Sequence, residues 1–95
     1  MTHFRDNRDG KRFEQGFTTP EGETGVVFAD YIRDGDTVLL RHVEADPALR
    51  GSGAAGRFME ALAEHARQES LTVKPLCSYA VAWFRRNKAA QDLLA

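Results

Sequence analysis

One cysteine, three prolines and a single tryptophan are all that the 95 residues contain of those types. A lone thiol, Cys77, excludes an internal disulfide and fits a reducing, cytoplasmic setting. No apolar run approaches the length of a bilayer crossing, and the opening MTHFRDNRDGKRFE lacks the apolar centre of a signal peptide. The expectation is a cytoplasmic protein with no membrane partner. An excess of one charge is missing too: the formal net charge of -1 gives no general pull toward nucleic acid. Repeats, low-complexity tracts and linker-like stretches are absent, so one domain over residues 1–95 is expected.

What is present suits a folded domain. Apolar residues make up 42% and charged residues 28%, a balance that excludes a disordered chain. Residues 1–36 hold five Lys/Arg against eight Asp/Glu, whereas residues 37–95 hold eight against six. The mild positive balance therefore lies in the second half, where an anionic ligand would be welcome.

Turn dipeptides at Asp9-Gly10, Glu21-Gly22 and Asp34-Gly35 separate β-favouring runs at 12–18, 24–33 and 37–45, with a further short run at 3–7. These form an antiparallel meander. Asp46-Pro47 ends it. From Ala54 to Glu69 the period changes: Ala55, Phe58, Met59, Leu62, Ala63 and Ala66 recur at three- and four-residue spacing, opposite Glu60, Glu64, Arg67 and Gln68. That pattern predicts an amphipathic helix. Leu71-Thr72-Val73 predicts a short strand, and Ser78 can cap a second helix with Val81 and Phe84 inward. The order is α+β, a mixed sheet carrying helices. His3 and His65 are expected at the surface.

Between meander and helix stands LRGSGAAGRF, in which Gly51, Gly53 and Gly56 fit G-x-G-x-x-G. Context excludes a dinucleotide fingerprint: the preceding fifty residues are antiparallel, and no acidic residue occurs between Ser70 and Gln91 to hold a ribose. A nucleotidase phosphate loop is excluded as well, because Arg57 and Phe58 stand where a lysine and a magnesium-binding hydroxyl belong. Two readings stay open at this point. Glycines before a helix can aim several N–H groups at an anion, helped by Arg50, or they can simply make a tight turn.

Arg50-Gly51-Ser52-Gly53-Ala54-Ala55 resembles R/Q-x-x-G-x-G/A, the pyrophosphate motif of the GNAT superfamily of N-acetyltransferases, in the place where that superfamily carries it. His42-Val43-Glu44, Leu49-Arg50-Gly51, Ala55-Gly56 and Pro75-Leu76-Cys77-Ser78-Tyr79 are similar to the minimal single-domain branch labelled YjdJ-type, over roughly residues 12–86. The resemblance implies the GNAT fold: a meander, a central helix, a strand splayed from the last meander strand, and a C-terminal helix. It implies acetyl-CoA as co-substrate, an amine acceptor of unspecified identity and no metal. Its pyrophosphate would lie on the amides of Gly51, Ser52, Gly53, Ala54, Ala55 and Gly56, with Arg50 adding charge and Arg85 or Arg86 within reach. Backbone N–H groups of Val43, Glu44 and Ala45 would polarise the thioester carbonyl.

Many members carry N-x-x-A-x-x-x-Y, whose tyrosine protonates the leaving thiolate. Laid on residues 77–84, that motif puts Cys77 at the Asn and Phe84 at the Tyr. Phe84 has no proton to give. Cys77, at a helix start where the dipole favours negative sulfur, is the leading substitute, either as acid or as acyl carrier, and Tyr79 is the second. His42 and Glu44, two apart on one strand, share a face and are the candidate base or water-relay pair for the incoming amine. The branch ends R-H-P-E-Y-x-D-L where this chain has Arg86-Asn87-Lys88-Ala89-Ala90-Gln91-Asp92-Leu93, so the second helix is free to run on through the alanines. A non-catalytic acyl-CoA-binding module of the same fold is the alternative function, and an interaction domain without cofactor the third.

Overall fold

The computed structural model describes residues 3–95. Five strands form one sheet in the order β1 (Arg5–Asn7), β2 (Arg12–Thr18), β3 (Thr24–Asp34), β4 (Thr37–Ala45) and β5 (Thr72–Pro75). The first four are antiparallel, and β5 lies parallel to β4. Strict alternation sets the faces. Phe13, Phe17, Val27, Ala29, Tyr31, Val38, Leu40 and Val73 point to the core, while Val26 and Ile32 on the opposite face stay 44% exposed.

Helix α1 (Ala54–Gln68) buries Ala54, Phe58, Met59, Leu62, Ala63 and Ala66 against that core. Full burial of a residue such as Phe58 or Leu62 stabilises by about 1.5–3 kcal/mol. The helix ends in a paired C-terminal motif: Leu71 N–H bonds Ala66 O at 2.8 Å, Ser70 N–H bonds Arg67 O at 3.3 Å, and Ser70 takes a left-handed φ of 55°. Leu71 is thereby tucked into the core, and the strand starts one residue later than the apolar run suggests. Helix α2 (Ser78–Arg86) packs Ala80, Trp83 and Phe84 into the same cluster, so both helices cover one face of the sheet. Among the described residues no helix is long and apolar enough to cross a membrane.

Three sequence expectations are corrected. Val81 and Ala55 are only half-buried; Ala80, Trp83 and Ala54 hold the inward positions instead. His65 is not a free surface residue, since its ring lies 5.3 Å from Phe4 and 5.4 Å from Phe13. Nor does α2 continue through the alanines. Asn87 turns the chain with its side chain on Trp83 O at 2.7 Å, and a 3-10 segment (Lys88–Leu93) follows. Leu94 then bridges Val73, with Ala95 N–H on Val73 O at 2.9 Å. Burial of Ala90 and Leu93 accounts for the break, and Arg67 locks the tail through Ala89 O at 2.6 Å and Asp92 at 2.8 Å.

At the sheet's outer edge, Asp6 takes a hydrogen bond from the Tyr31 hydroxyl. Burial, followed by that bond, pushes the phenol up to about 12, so it remains a donor that ties β1 across to β3.

Candidate functional site

Two local events open a cleft between β4 and the edge strand β5. Tyr31 pairs Leu40 while Asp30 pairs His42, which leaves Arg41 as an extra residue, a bulge in β4. Strand β5 follows β4 only from Thr37 to Leu40, and the last bond between them is Leu76 N–H to Leu40 O at 2.8 Å. Beyond it β4 runs on to Ala45 without β5, and the chain on the other side turns into α2.

Alternation along the antiparallel ladder decides which amides enter this gap. Asp46 N–H bonds Val26 O at 3.0 Å, so the residues in step with it, Glu44 and His42, aim their amides at β3. Val43 and Ala45 aim theirs into the gap. The expectation for Glu44 is corrected accordingly: its backbone belongs to the ladder, and only Val43 and Ala45 present free N–H groups. The side chains of Val43, Ala45, Cys77 and Tyr79 are half-buried against the core, two on each side of the cleft.

Cys77 caps α2, its sulfur accepting Ala80 N–H at 3.4 Å. Burial raises the Tyr79 hydroxyl above the ordinary tyrosine range; Arg86 opposes this and Cys77 adds to it. Tyr79 therefore keeps its proton and sits within electrostatic reach of both residues. Phe84 is 2% exposed and lies edge-on to Trp83 within the core. On the helix-free side of the sheet, His42 Nε2 and Glu44 Oε1 lie 3.0 Å apart, both exposed.

At the far end of β4 the glycine loop begins from a fixed point. Asp46 Oδ2 accepts Val26 N–H at 2.7 Å, and Leu49 is buried. Gly51 and Gly53 adopt φ of 74° and 80°, which a side-chain-bearing residue adopts only with strain. Ser52 Oγ is spent inside the loop, donating to Leu49 O at 2.5 Å and accepting Ala54 N–H at 3.2 Å. The N–H groups of Gly51, Gly53, Ala55 and Gly56 have no acceptor among the described residues, and the first turn of α1 carries no acid. Four unpaired donors at the start of a 15-residue helix make an anion cradle. Arg50 is exposed beside it.

Sequence reasoning missed Arg57. Its Nη1 folds back to Ser52 O at 3.2 Å while the guanidinium stands 5.5 Å from the Phe17 ring centre. Its position four residues after Gly53, one turn up the helix, was the available signal. Among the described residues no three His, Cys, Asp or Glu side chains are grouped to hold a metal ion.

A family model for the GCN5-related N-acetyl-transferases matches residues 16–93. The chain belongs to this family. A solution structure of a GCN5-like candidate N-acetyltransferase from Staphylococcus aureus covers 98% of the chain and 87% of its own length, with a TM-score of 0.68 at 20% identity. At that identity the likeness establishes a shared fold. No curated protein matches the chain in sequence.

Proposed function

We propose that this GCN5-related protein is an acetyl-CoA-dependent N-acetyltransferase acting on an amine. The observation that carries the reading is the alignment of unpaired donors along one cleft: four amides at the loop, then those of Val43 and Ala45 in the gap. The cradle suits a pyrophosphate, and a Cβ built on Gly51 or Gly56 meets nothing within 4 Å, which leaves room for phosphate oxygens. Acetyl-CoA supplies an activated acetyl thioester, the acyl group to be moved.

The chain's own residues divide the remaining work. Glu44, steadied by His42, takes a proton from the ammonium so that the nitrogen can attack the carbonyl carbon. Val43 and Ala45 donate N–H bonds to the carbonyl oxygen as it gains charge. A new C–N bond forms and the C–S bond breaks. Cys77 returns a proton to the departing sulfur from the helix side of the cleft, with Tyr79 as its neutral hydroxyl neighbour, and the second proton shed by the attacking nitrogen as the amide forms restores the Cys77 thiol through solvent. Base and acid thus stand on opposite sides of the sheet, the arrangement a transfer through the gap requires.

Release of free CoA thiol, followed at saturating amine, tests this assignment. Glu44→Gln and Cys77→Ala should each lower kcat by about 100-fold or more, the usual weight of a positioned acid or base, with acetyl-CoA binding retained. Normal turnover in either variant removes that residue from the mechanism. Burial of Phe84 in the core leaves the family's usual acid position without a hydroxyl, and this favours one second reading. Tight binding with no turnover on any amine would assign the chain as an acyl-CoA-binding module.

A further inference from the structure

Beside His42, two hollows of about 450 and 280 Å³ share Lys11, Tyr31 and Ile32. Gly10, Asp30, Arg41 and His42 complete the first, and Arg8 and Arg33 complete the second. Together they form one groove that starts at the imidazole steadying Glu44 and runs along β3 toward Arg33. Register fixes its dimensions. Tyr31 N–H bonds Lys11 O at 3.0 Å on one side, and on the other Tyr31 pairs Leu40, the residue before the bulged Arg41. Lys11 and Arg41 therefore flank β3 from its two neighbouring segments, about 10 Å apart at 4.7–4.9 Å per segment. Phe28, which pairs Glu44, lies three residues before Tyr31 and five before Arg33, about 10 and 17 Å at 3.4 Å per residue.

Positive charge dominates this groove. Arg8, Lys11, Arg33 and Arg41 line it against the single carboxylate of Asp30, which Arg12 already engages at 3.4 Å. Arg8 is matched by Asp6 at 3.3 Å, and Asp6 also takes the Tyr31 hydroxyl. Arg33 spends two donors on Gly35 O, a neutral acceptor, so its charge stays unbalanced. Lys11 and Arg41 have no ion-pair partner among the described residues. Asp9, Asp34 and Asp36 are exposed around the flanking turns but line neither hollow. Three uncompensated cations are thus spread along the groove rather than gathered at one point. That spacing suits an extended chain with repeated negative charge, and the exposed Ile32 between them offers apolar contact for its stems.

We propose that this groove is the acceptor site and that it selects the N-terminal amine of an acidic peptide. The amine reaches Glu44 while acidic side chains lie between Lys11 and Arg41 and, further on, beside Arg33. An extended peptide advances by the same step as β3, so acids at its second to sixth residues fall along these cations. This inference rests on the acetyltransferase reading for the reaction of the amine, while recognition of the acidic run stands on the groove itself.

Thiol release at saturating acetyl-CoA compares three amidated peptides: an alanine followed by five glutamates, five glutamines or five arginines. The expected kcat/KM for the glutamate peptide is at least about 10-fold above that for the glutamine peptide, the sum of several exposed ion pairs, with the arginine peptide lowest. In the double variant Lys11→Asn, Arg41→Gln the glutamate-to-glutamine ratio should fall toward one. Asparagine suits the left-handed φ of 54° at residue 11, and unchanged acetyl-CoA binding verifies that the variant is folded. Lys88→Gln, which removes an exposed cation outside the groove, should leave the ratio in place. An equal fall in that variant would assign the effect to net charge and overturn the site. Equal rates for the three peptides, or a preference that survives in the double variant, would also overturn it and leave the acetyltransferase reading standing. Absence of turnover with every peptide would count against that reading instead, and calorimetric titration with the glutamate peptide then decides the inference. Binding lost in the double variant upholds it. No binding to the parent protein, or tighter binding of a hexathymidylate of matching charge, overturns it.

Discussion

Gly56→Asp is expected to make the protein more stable and, at the same time, to weaken acetyl-CoA binding by about 100-fold or more. Gly56 sits in the third residue of α1, where glycine is worse than alanine by about 0.8–1.0 kcal/mol. Nothing in the protein demands it there, since a Cβ would meet no atom within 4 Å and the φ is not left-handed. An aspartate in the first turn also complements the helix dipole, typically by 0.3–1 kcal/mol. Aspartate recovers only part of the glycine-to-alanine difference, and with the dipole contribution this should raise Tm by about 2–6 °C, at roughly 4–8 °C per kcal/mol for a domain of this size. The same carboxylate would occupy the space beside four unpaired amides and oppose a pyrophosphate, and like charges in such contact cost several kcal/mol. Stability and affinity therefore move in opposite directions. Gly56→Ala separates the causes: it should keep most of the stability gain and lose far less affinity. Undiminished binding in the aspartate variant would place the phosphates elsewhere.

Phe58→Ala should be the most destabilising single truncation in the helix. Phe58 has no exposed surface, and its ring lies 5.5 Å from that of Phe4. Removing a buried phenyl ring costs about 3–5 kcal/mol through lost transfer energy and the cavity left behind. Natural domains are stable by only about 5–15 kcal/mol, so a substantial share of the total is lost. Tm should fall by on the order of 15 °C or more. The consequence reaches the site, because α1 carries the glycine loop on its first turn and Leu49 anchors that loop in the same core. Phe58→Leu, which keeps much of the volume, should lose markedly less. A fall in Tm below about 5 °C for the alanine variant would contradict the placement of α1 on the sheet.

Local patterns carried most of the architecture. Strands 12–18 and 37–45 and helix 54–68 follow from alternation, turn dipeptides and helical periodicity, and the loop between them follows from its glycines. The remaining features depend on contacts distant in sequence. Whether an alanine-rich tail continues a helix or folds back is decided by the burial of Leu93 and by the Leu94–Val73 bridge. The bulge at Arg41 exists only through the register of β3, and it determines that Val43 and Ala45, not Glu44, face the gap. His65 is drawn inward by Phe4 and Phe13, distant in sequence but on the sheet face that α1 covers. The return of Arg57 to Ser52, and the gathering of both helices on one face, belong to the same class. Residue types in the motif were legible; the sides they face were not.

The central claim is that one cleft binds acetyl-CoA from the loop of α1 to the gap beyond Leu40. Amide chemical shifts of the intact protein, followed by NMR through a titration with acetyl-CoA, test it most directly. The account predicts saturable shifts concentrated at Gly51, Gly53, Ala55 and Gly56 and at Val43 and Ala45, with Phe28 and Glu14 on the helix-free face moving little. An absence of shifts at millimolar acetyl-CoA, or shifts that spare the loop and gather elsewhere, would contradict it.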